Sequence, residues 1–189
     1  MNSVAAIGAN YCAVEPTTLA MKEKAFSLSG DTFKIKDAKS GQVVFQIEGK
    51  VISLHDKKKL LDGNGNEIAV FAKKLVSIHK TFVVSRGDEK LMTITKKMAF
   101  MKSKMVAEVK NLCSDGREMK IEAVGDWRDK NVVVSEEGGG ILATISRKSL
   151  NLNSVAFDAQ TYYLQVNPGV DSAMIVLLAL AFDELEQEE

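Results

Sequence analysis

Cysteine, proline and histidine are scarce in this chain, which has two of each among its 189 residues. Cys12 and Cys113 lie far apart in the sequence, and neither belongs to a CxxC or Cys/His spacing. Isolated cysteines of this kind are typical of reducing compartments, so we expect free thiols and no structural metal site. The two prolines, Pro16 and Pro168, lie outside every predicted strand, as the missing N–H of proline requires.

The start of the chain lacks the features of a secretory signal. Residues 1–14 have no basic segment ahead of the small apolar stretch Val4 to Ile7. We therefore expect a cytoplasmic protein, with a peripheral-membrane or nuclear location as the alternatives. We also expect a loosely ordered start over residues 1–14, followed by one globular domain over residues 15–189 that acts as a monomer.

An excess of charge of one sign is absent as well, because 25 basic residues balance 25 acidic ones. A neutral chain has no overall field that would concentrate nucleic acid or an anionic membrane around it, so any such binding must come from a local patch. Aromatic residues make up only 6% of the chain, too few for a platform on which bases stack. We therefore expect no nucleic-acid binding.

No apolar run is long enough for a transmembrane segment. The run Ala173 to Phe182 is about half of the roughly 20 residues that a spanning helix needs. A helix that is apolar around its whole circumference must then be enclosed by protein. Asp171 is a good N-cap and Pro168-Gly169 ends the preceding strand, so the sequence predicts a buried helix over about 172–185. The acidic residues 183–189 predict that the chain leaves the helix into water.

Almost everything before that helix is typical of short strands. Segments rich in β-branched and aromatic residues alternate with turns in which glycine supplies a positive φ, such as Asn64-Gly65 and the triplet Gly138 to Gly140. About twelve strands around one apolar helix predict a mainly β fold, a closed antiparallel barrel with a central C-terminal helix. The twelve predicted strands are Phe33–Lys36, Val43–Glu48, Val51–Leu54, Glu67–Ala72, Val76–His79, Thr81–Ser85, Leu91–Lys96, Met105–Val109, Lys120–Val124, Asn131–Ser135, Ile141–Ser146 and Tyr162–Val166, and Leu19–Phe26 is a candidate for an additional first strand.

A weak internal sequence similarity is consistent with repeated hairpins. The segment Gly41 to His55 aligns with Gly65 to His79, and glycine, lysine, serine, histidine and apolar positions coincide. A true repeat and convergent strand composition both explain this match. Repeated hairpins are a natural way to build an up-and-down barrel.

An ordered set of residues resembles the LURP-one-related family, a branch of the tubby C-terminal and phospholipid scramblase superfamily. The resemblance covers Tyr11 to about Leu185. It departs from the family pattern at Phe82, where members usually have tryptophan. The matching residues are Asp31, Phe33, Ile35, Asp37, Gly41, Val44, Phe45, Gly49, Ser53, Leu60, Leu61, Asp62, Gly65, Lys74, Ser77, His79, Trp127, Ala143, Arg147, Lys148, Tyr163, Pro168, Val170, Asp171 and Ala173.

The resemblance implies a twelve-stranded barrel wrapped around a C-terminal helix. It also implies a non-enzymatic module linked to plant defence, with membrane tethering through phosphoinositides or acidic phospholipids as the expected activity. A protein-interaction scaffold in defence signalling is the alternative, and a phospholipid scramblase is a third. The family has no agreed catalytic motif, so no catalytic residue and no cofactor is carried over.

Direct signs of chemistry are weak. His55 and His79 occupy equivalent positions in the two aligned segments, but two histidines without a third ligand make a poor zinc site. Ser77 lies two residues from His79, and residues two apart on a strand share a face without forming a nucleophile and base pair. The triplet Gly138 to Gly140 precedes a strand, so it is a hairpin turn rather than a phosphate loop. Asp62 opens a stretch similar to a calcium loop that lacks the closing glutamate, which predicts a turn.

Lysine clusters are the one feature that predicts a binding site. Several clustered lysines converging on one end of a barrel would bind an anionic headgroup, at about 1 kcal/mol for each cation near the surface. The alternative is that they are ordinary solvated residues that protect strand edges. We therefore predict a lipid-headgroup site formed by Lys57, Lys58, Lys59, Lys73 and Lys74.

Overall fold

The structure is a computed structural model of the chain, and it describes residues 3–22, 32–49, 57–97, 103–114, 116–126, 129–147 and 161–186. Each strand pairs antiparallel with the next strand along the chain, and the last pairs with the first, so that the sheet closes into a twelve-stranded barrel. This confirms the predicted fold. The strands are β1 (Thr17–Lys22), β2 (Thr32–Asp37), β3 (Val43–Gly49), β4 (Lys57–Asp62), β5 (Glu67–Lys73), β6 (Thr81–Arg86), β7 (Glu89–Lys97), β8 (Ser103–Lys110), β9 (Glu118–Asp126), β10 (Asn131–Glu136), β11 (Ile141–Ser146) and β12 (Thr161–Val166), and the α-helix is α1 (Ser172–Glu186).

Alternation along each strand decides which side chains enter the barrel. In β9, Met119, Ile121 and Ala123 are buried, whereas the intervening Lys120 and Glu122 are not. Successive side chains of a strand point to opposite faces of the sheet, so one face lines the interior and the other meets solvent. The interior is therefore apolar along most of its length.

The helix α1 fills this interior. Every residue from Ala173 to Phe182 is at most 2% exposed, which confirms a helix enclosed on all sides. Its N-cap is Asp171, whose Oδ1 accepts the backbone N–H of Met174 at 3.1 Å. Burial of each large apolar side chain contributes about 1.5–3 kcal/mol, so the helix is a main source of stability. Within the described residues, no helix combines the length and the apolar character needed to span a bilayer.

Two predicted strand segments differ from the structure. The segment Val76–His79 was predicted as a strand and instead lies in the loop between β5 and β6. The strand β4 (Lys57–Asp62) was not predicted, because its run of lysines hides the alternation of inward and outward side chains. The predicted strand Val51–Leu54 lies outside the described residues, as does the end of Leu19–Phe26 beyond Lys22.

Residues 3–14 pack onto the barrel. Val4 and Ile7 are buried. Oδ2 of the buried Asp171 accepts the backbone N–H groups of Ala6, Ile7 and Gly8 at 3.2, 2.7 and 3.1 Å. A carboxylate that accepts several backbone N–H bonds holds its donors firmly. The segment thereby closes the end of the barrel at which α1 begins.

The end of α1 also differs from the prediction of an exit into water. Asp183 is only 3% exposed, and its Oδ1 lies 3.6 Å from Nζ of the fully buried Lys130. Glu184 forms an ion pair with Lys58. Acidic side chains at a helix C-terminus are unfavourable with the helix dipole. Here lysines on the inner face of the barrel neutralise them.

Candidate functional site

The barrel has two unlike ends. We call the end at which α1 begins the lower rim, where the N-terminal segment packs. We call the opposite end the upper rim, where β4 begins at Lys57, β5 ends at Lys73 and β6 begins at Thr81. All five lysines of the predicted headgroup site lie on or beside these strand ends.

Strand pairing brings two of the five lysines together. Lys57 lies opposite Ala72 in the β4–β5 pair, and Lys74 follows Ala72 by two positions, so Lys57 and Lys74 share the outer face. Lys73 lies opposite the buried Phe82 and is therefore on the inner face. Lys57 and Lys74 are exposed, and Lys73 is half-buried. Within the described part of the chain, neither Lys57 nor Lys74 forms an ion pair. Cationic groups are therefore available to solvent at this point of the upper rim.

Lys58 points to the inner face of the barrel, away from the other two lysines of the triplet. It lies opposite Phe71, which is buried in the core. Its ammonium pairs with Glu184 of α1, and the two side chains are 13% and 16% exposed. The strand period of two explains the split of the triplet. Lys58 ties the last turn of the helix to β4.

Lys59 faces outward and is balanced by an acid on the neighbouring strand. Its Nζ lies 2.7 Å from Oε2 of Glu67. The hydrogen bond to Glu67 raises the pKa of Lys59 above its ordinary value, and the negative charge of Glu67 raises it further. The positive charge of Lys59 is thus matched locally.

A buried polar group beneath the upper rim was not predicted from the sequence. Lys130 is fully buried, its Nζ lies 5.4 Å from the centre of the Tyr162 ring, and the Tyr162 hydroxyl donates to Oδ2 of Asp183 at 3.4 Å. Lys130 follows a short turn and has a φ of 48°, a left-handed conformation that is uncommon for residues other than glycine. A sequence signal for this group does exist at Asp183. It follows the apolar run directly, without the glycine that commonly ends a helix, so the helix could be expected to continue with Asp183 inside the barrel.

The loop between β5 and β6, residues 74–80, carries three exposed apolar side chains in a segment that was predicted in part as a strand. Leu75, Val76 and Ile78 are 62%, 87% and 100% exposed. The base of the loop is closed by the backbone N–H of Lys74, which donates to the carbonyl of Thr81 at 2.8 Å. Three large apolar side chains therefore project from the upper rim next to Lys74.

Residues considered for other chemistry are held in structural roles or are exposed. The Ser77 hydroxyl is 3.1 Å from that of Thr81, and His79 is exposed. Residues 138–140 form the β10–β11 turn, as predicted. The Asp62 carboxylate accepts the backbone N–H groups of Asn64 and Asn66, both at 2.9 Å, in the predicted turn. His55 lies outside the described residues.

Similarity to known proteins covers most of the chain. The family profile described as LURP-one-related matches residues 17–183. The chain belongs to the LURP-one-related family. It is similar to Protein LURP-one-related 15 of Arabidopsis thaliana, at 30% identity over 95% of this chain and 84% of that protein. It is also similar to Protein LURP-one-related 10 of the same plant, at 27% identity over 98% of both chains.

The chain is also similar to a bacterial protein and to a protein of known structure. The protein YxjI of Bacillus subtilis is 28% identical over 87% of this chain and 91% of its own length. An Arabidopsis thaliana protein of known X-ray structure superposes with a TM-score of 0.67, at 22% identity, over 96% of this chain and 98% of that one. At that identity the likeness concerns the fold. None of these names specifies a catalysed reaction.

Proposed function

We propose that this LURP-one-related protein is a non-enzymatic module that binds acidic phospholipid headgroups, including those of phosphoinositides, and so tethers itself to a membrane. The observation that supports the proposal is the proximity of the exposed Lys57 and Lys74 on the outer face of the upper rim. The family resemblance supports a defence-related setting for this binding.

Headgroup contact is assigned to two of the five lysines predicted from the sequence, Lys57 and Lys74, which are exposed. Lys73 is left out of this contact, because it lies on the inner face opposite the buried Phe82. The proposal gives Lys58 and Lys59 a structural role, because Glu184 and Glu67 neutralise them.

The energy of this contact is modest. Two exposed lysines contribute about 2 kcal/mol near an anionic surface, which is about a 30-fold gain in binding. The gain depends on ionic strength, because interactions between solvent-exposed charges are screened over about 8–10 Å at physiological salt. Binding through the rim lysines alone would therefore be weak and salt-sensitive.

The geometry around the candidate nucleophiles supports a non-enzymatic role. A hydrolytic site needs a nucleophile, a base and an orienting group in contact. The Ser77 hydroxyl instead meets that of Thr81, whose own hydroxyl donates to the carbonyl of His79 at 2.9 Å. These contacts close the loop and leave no activated hydroxyl.

Vesicle flotation with a charge-reversal variant tests the proposal. Lys57→Glu/Lys74→Glu should bind vesicles of phosphatidylcholine with phosphatidylserine or a phosphoinositide at least tenfold more weakly than the unmodified protein. The matched control is Lys39→Glu/Lys90→Glu, which reverses two exposed lysines near the lower rim. Equal binding by both variants would contradict the proposal. Comparison of the two anionic lipids shows whether the inositol phosphates add to general charge attraction.

A further inference from the structure

Exposed large apolar side chains are concentrated in the β5–β6 loop. Seven such side chains occur in the described part of the chain, and three of them are Leu75, Val76 and Ile78. The other four are scattered at Val14, Leu112, Val133 and Ile141. Single exposed apolar residues are normal on protein surfaces, whereas a contiguous group marks an interaction site.

The loop presents these side chains to solvent from a hydrogen-bonded base. Its base is held by the bond from the Lys74 N–H to the Thr81 carbonyl at 2.8 Å, and by the Thr81 hydroxyl bond to the His79 carbonyl at 2.9 Å. The side chain of Ile78 is 100% exposed at the tip. The apolar side chains are therefore exposed on a loop whose two ends are joined by hydrogen bonds.

Charge around the loop selects one class of partner. Lys73 and Lys74 precede the apolar residues, Lys80 follows them, and residues 73–80 contain no aspartate or glutamate. Exposed Lys57 lies beside them on β4. A membrane interface has anionic phosphates outside and acyl chains about 5–10 Å deeper. Its charged and apolar layers therefore match the lysines of the rim and the apolar side chains of the loop. A protein hot spot more often uses tryptophan, tyrosine or arginine, and the loop has none.

We propose that the β5–β6 loop inserts Leu75, Val76 and Ile78 into the acyl-chain boundary of an anionic phospholipid bilayer while the rim lysines contact its phosphates. This inference rests on the proposed headgroup binding and adds the second contact that it lacks. Stable attachment of a peripheral protein generally requires two signals, such as a basic patch and an apolar insertion. The two contacts lie together on the upper rim.

Removal of the apolar side chains tests the apolar contact separately from the lysine contact. Leu75→Ser/Val76→Ser/Ile78→Ser keeps every rim lysine, and its side chains contribute little to the fold because they are exposed. We expect it to float with anionic vesicles at least tenfold more weakly, since full burial of one such side chain is worth about tenfold or more. Its remaining binding should fall more steeply with salt. The matched control, Val14→Ser/Ile141→Ser, removes exposed apolar side chains near the lower rim and should bind as the unmodified protein does.

A depth measurement reports insertion directly. Ile78→Cys, in a Cys12→Ser/Cys113→Ser background, carries an environment-sensitive fluorophore. With vesicles of phosphatidylcholine and phosphatidylserine, its emission should shift to the blue and be quenched by nitroxides on the acyl chains. The same label at Val14→Cys should do neither.

Each other outcome has a defined meaning. A label that stays in water while the protein floats would overturn insertion and leave headgroup binding intact. Absence of flotation at low salt would overturn both proposals. A blue shift without vesicles that grows with protein concentration would assign the loop to self-association and overturn the inference.

Discussion

Loss of the buried ammonium of Lys130 should destabilise the barrel strongly. Lys130 and Asp183 are 0% and 3% exposed, and their charged atoms are 3.6 Å apart. The variant Lys130→Met keeps an unbranched side chain of similar length. Because methionine also has a Cβ, the cost of the φ of 48° at this position is unchanged. The variant therefore isolates the charge.

The expected loss follows from removing the cation beside a buried carboxylate. At 3.6 Å and an effective dielectric constant of about 20, the attraction between the two charges is roughly 4–5 kcal/mol. Desolvation of both groups offsets much of this attraction in the intact protein, but the variant leaves Asp183 buried without that partner. Removing one member of a buried pair typically costs about 3–5 kcal/mol, which for a chain of this size lowers Tm by roughly 6–20 °C.

Thermal and urea unfolding measure the effect, with an exposed ion pair as the control. Lys59→Met removes the partner of Glu67 from a pair that is shorter, at 2.7 Å, but whose side chains are 37% and 43% exposed. An exposed pair contributes about 0–1 kcal/mol, so this variant should unfold close to the unmodified protein. The double variant Lys130→Met/Asp183→Asn should recover most of the stability lost by Lys130→Met, because neither charge of the pair is then buried.

The order of these losses is the decisive result. Equal, small losses for Lys130→Met and Lys59→Met would refute the reasoning, because burial would then not determine the value of the pair. No recovery in the double variant would show that the methionine disturbs packing rather than charge.

Four further predictions concern the lower rim and the sheet. Asp171→Ala should lower the free energy of unfolding by about 3 kcal/mol in urea, since it removes the N-cap of α1 and the acceptor for three backbone N–H groups; a change below about 0.5 kcal/mol would contradict this. Cys12 and Cys113, with Sγ atoms 3.8 Å apart, should lose two hydrogens to the oxidant diamide and form an intramolecular disulfide seen by mass spectrometry, which Cys113→Ser should abolish. Burial, and then the contact with Cys113, raises the pKa of the Cys12 thiol to about 12. In Cys113→Ser, where burial remains, the alkylation rate of Cys12 should therefore rise about tenfold per pH unit between pH 7 and 10. A flat pH profile would contradict burial as the main cause. Gly125→Ala should abolish or severely weaken folding, as judged by circular dichroism, because its Cβ would lie 2.0 Å from a backbone oxygen, whereas Gly140→Ala has open space and should fold normally.

Much of the fold could be predicted because its signals are local. The fully apolar run after Asp171 required enclosure, and Gly-containing turns separated strands with clear alternation. The prediction failed where composition and position disagree. The lysines of Lys57–Asp62 hid a strand, and the apolar residues of Val76–His79 suggested one in an exposed loop.

The candidate site was less accessible to sequence reasoning because it depends on contacts between distant elements. Lys58 and Lys59 are adjacent, yet the strand period turns one toward Glu184 on the helix and the other toward Glu67. The ion pair of Lys130 and Asp183 joins groups 53 positions apart by their numbering. Neither relation leaves a short-range pattern. The apolar loop was visible as a run of residues, but only its exposure distinguishes it from a strand.

Vesicle flotation of the unmodified protein across a salt series tests the central claim most directly. We predict binding to vesicles of phosphatidylcholine with phosphatidylserine or a phosphoinositide at low salt, weaker binding as salt rises, and none to phosphatidylcholine alone. Failure to bind either anionic vesicle at low salt would contradict the account and return the rim lysines to the role of solvated surface.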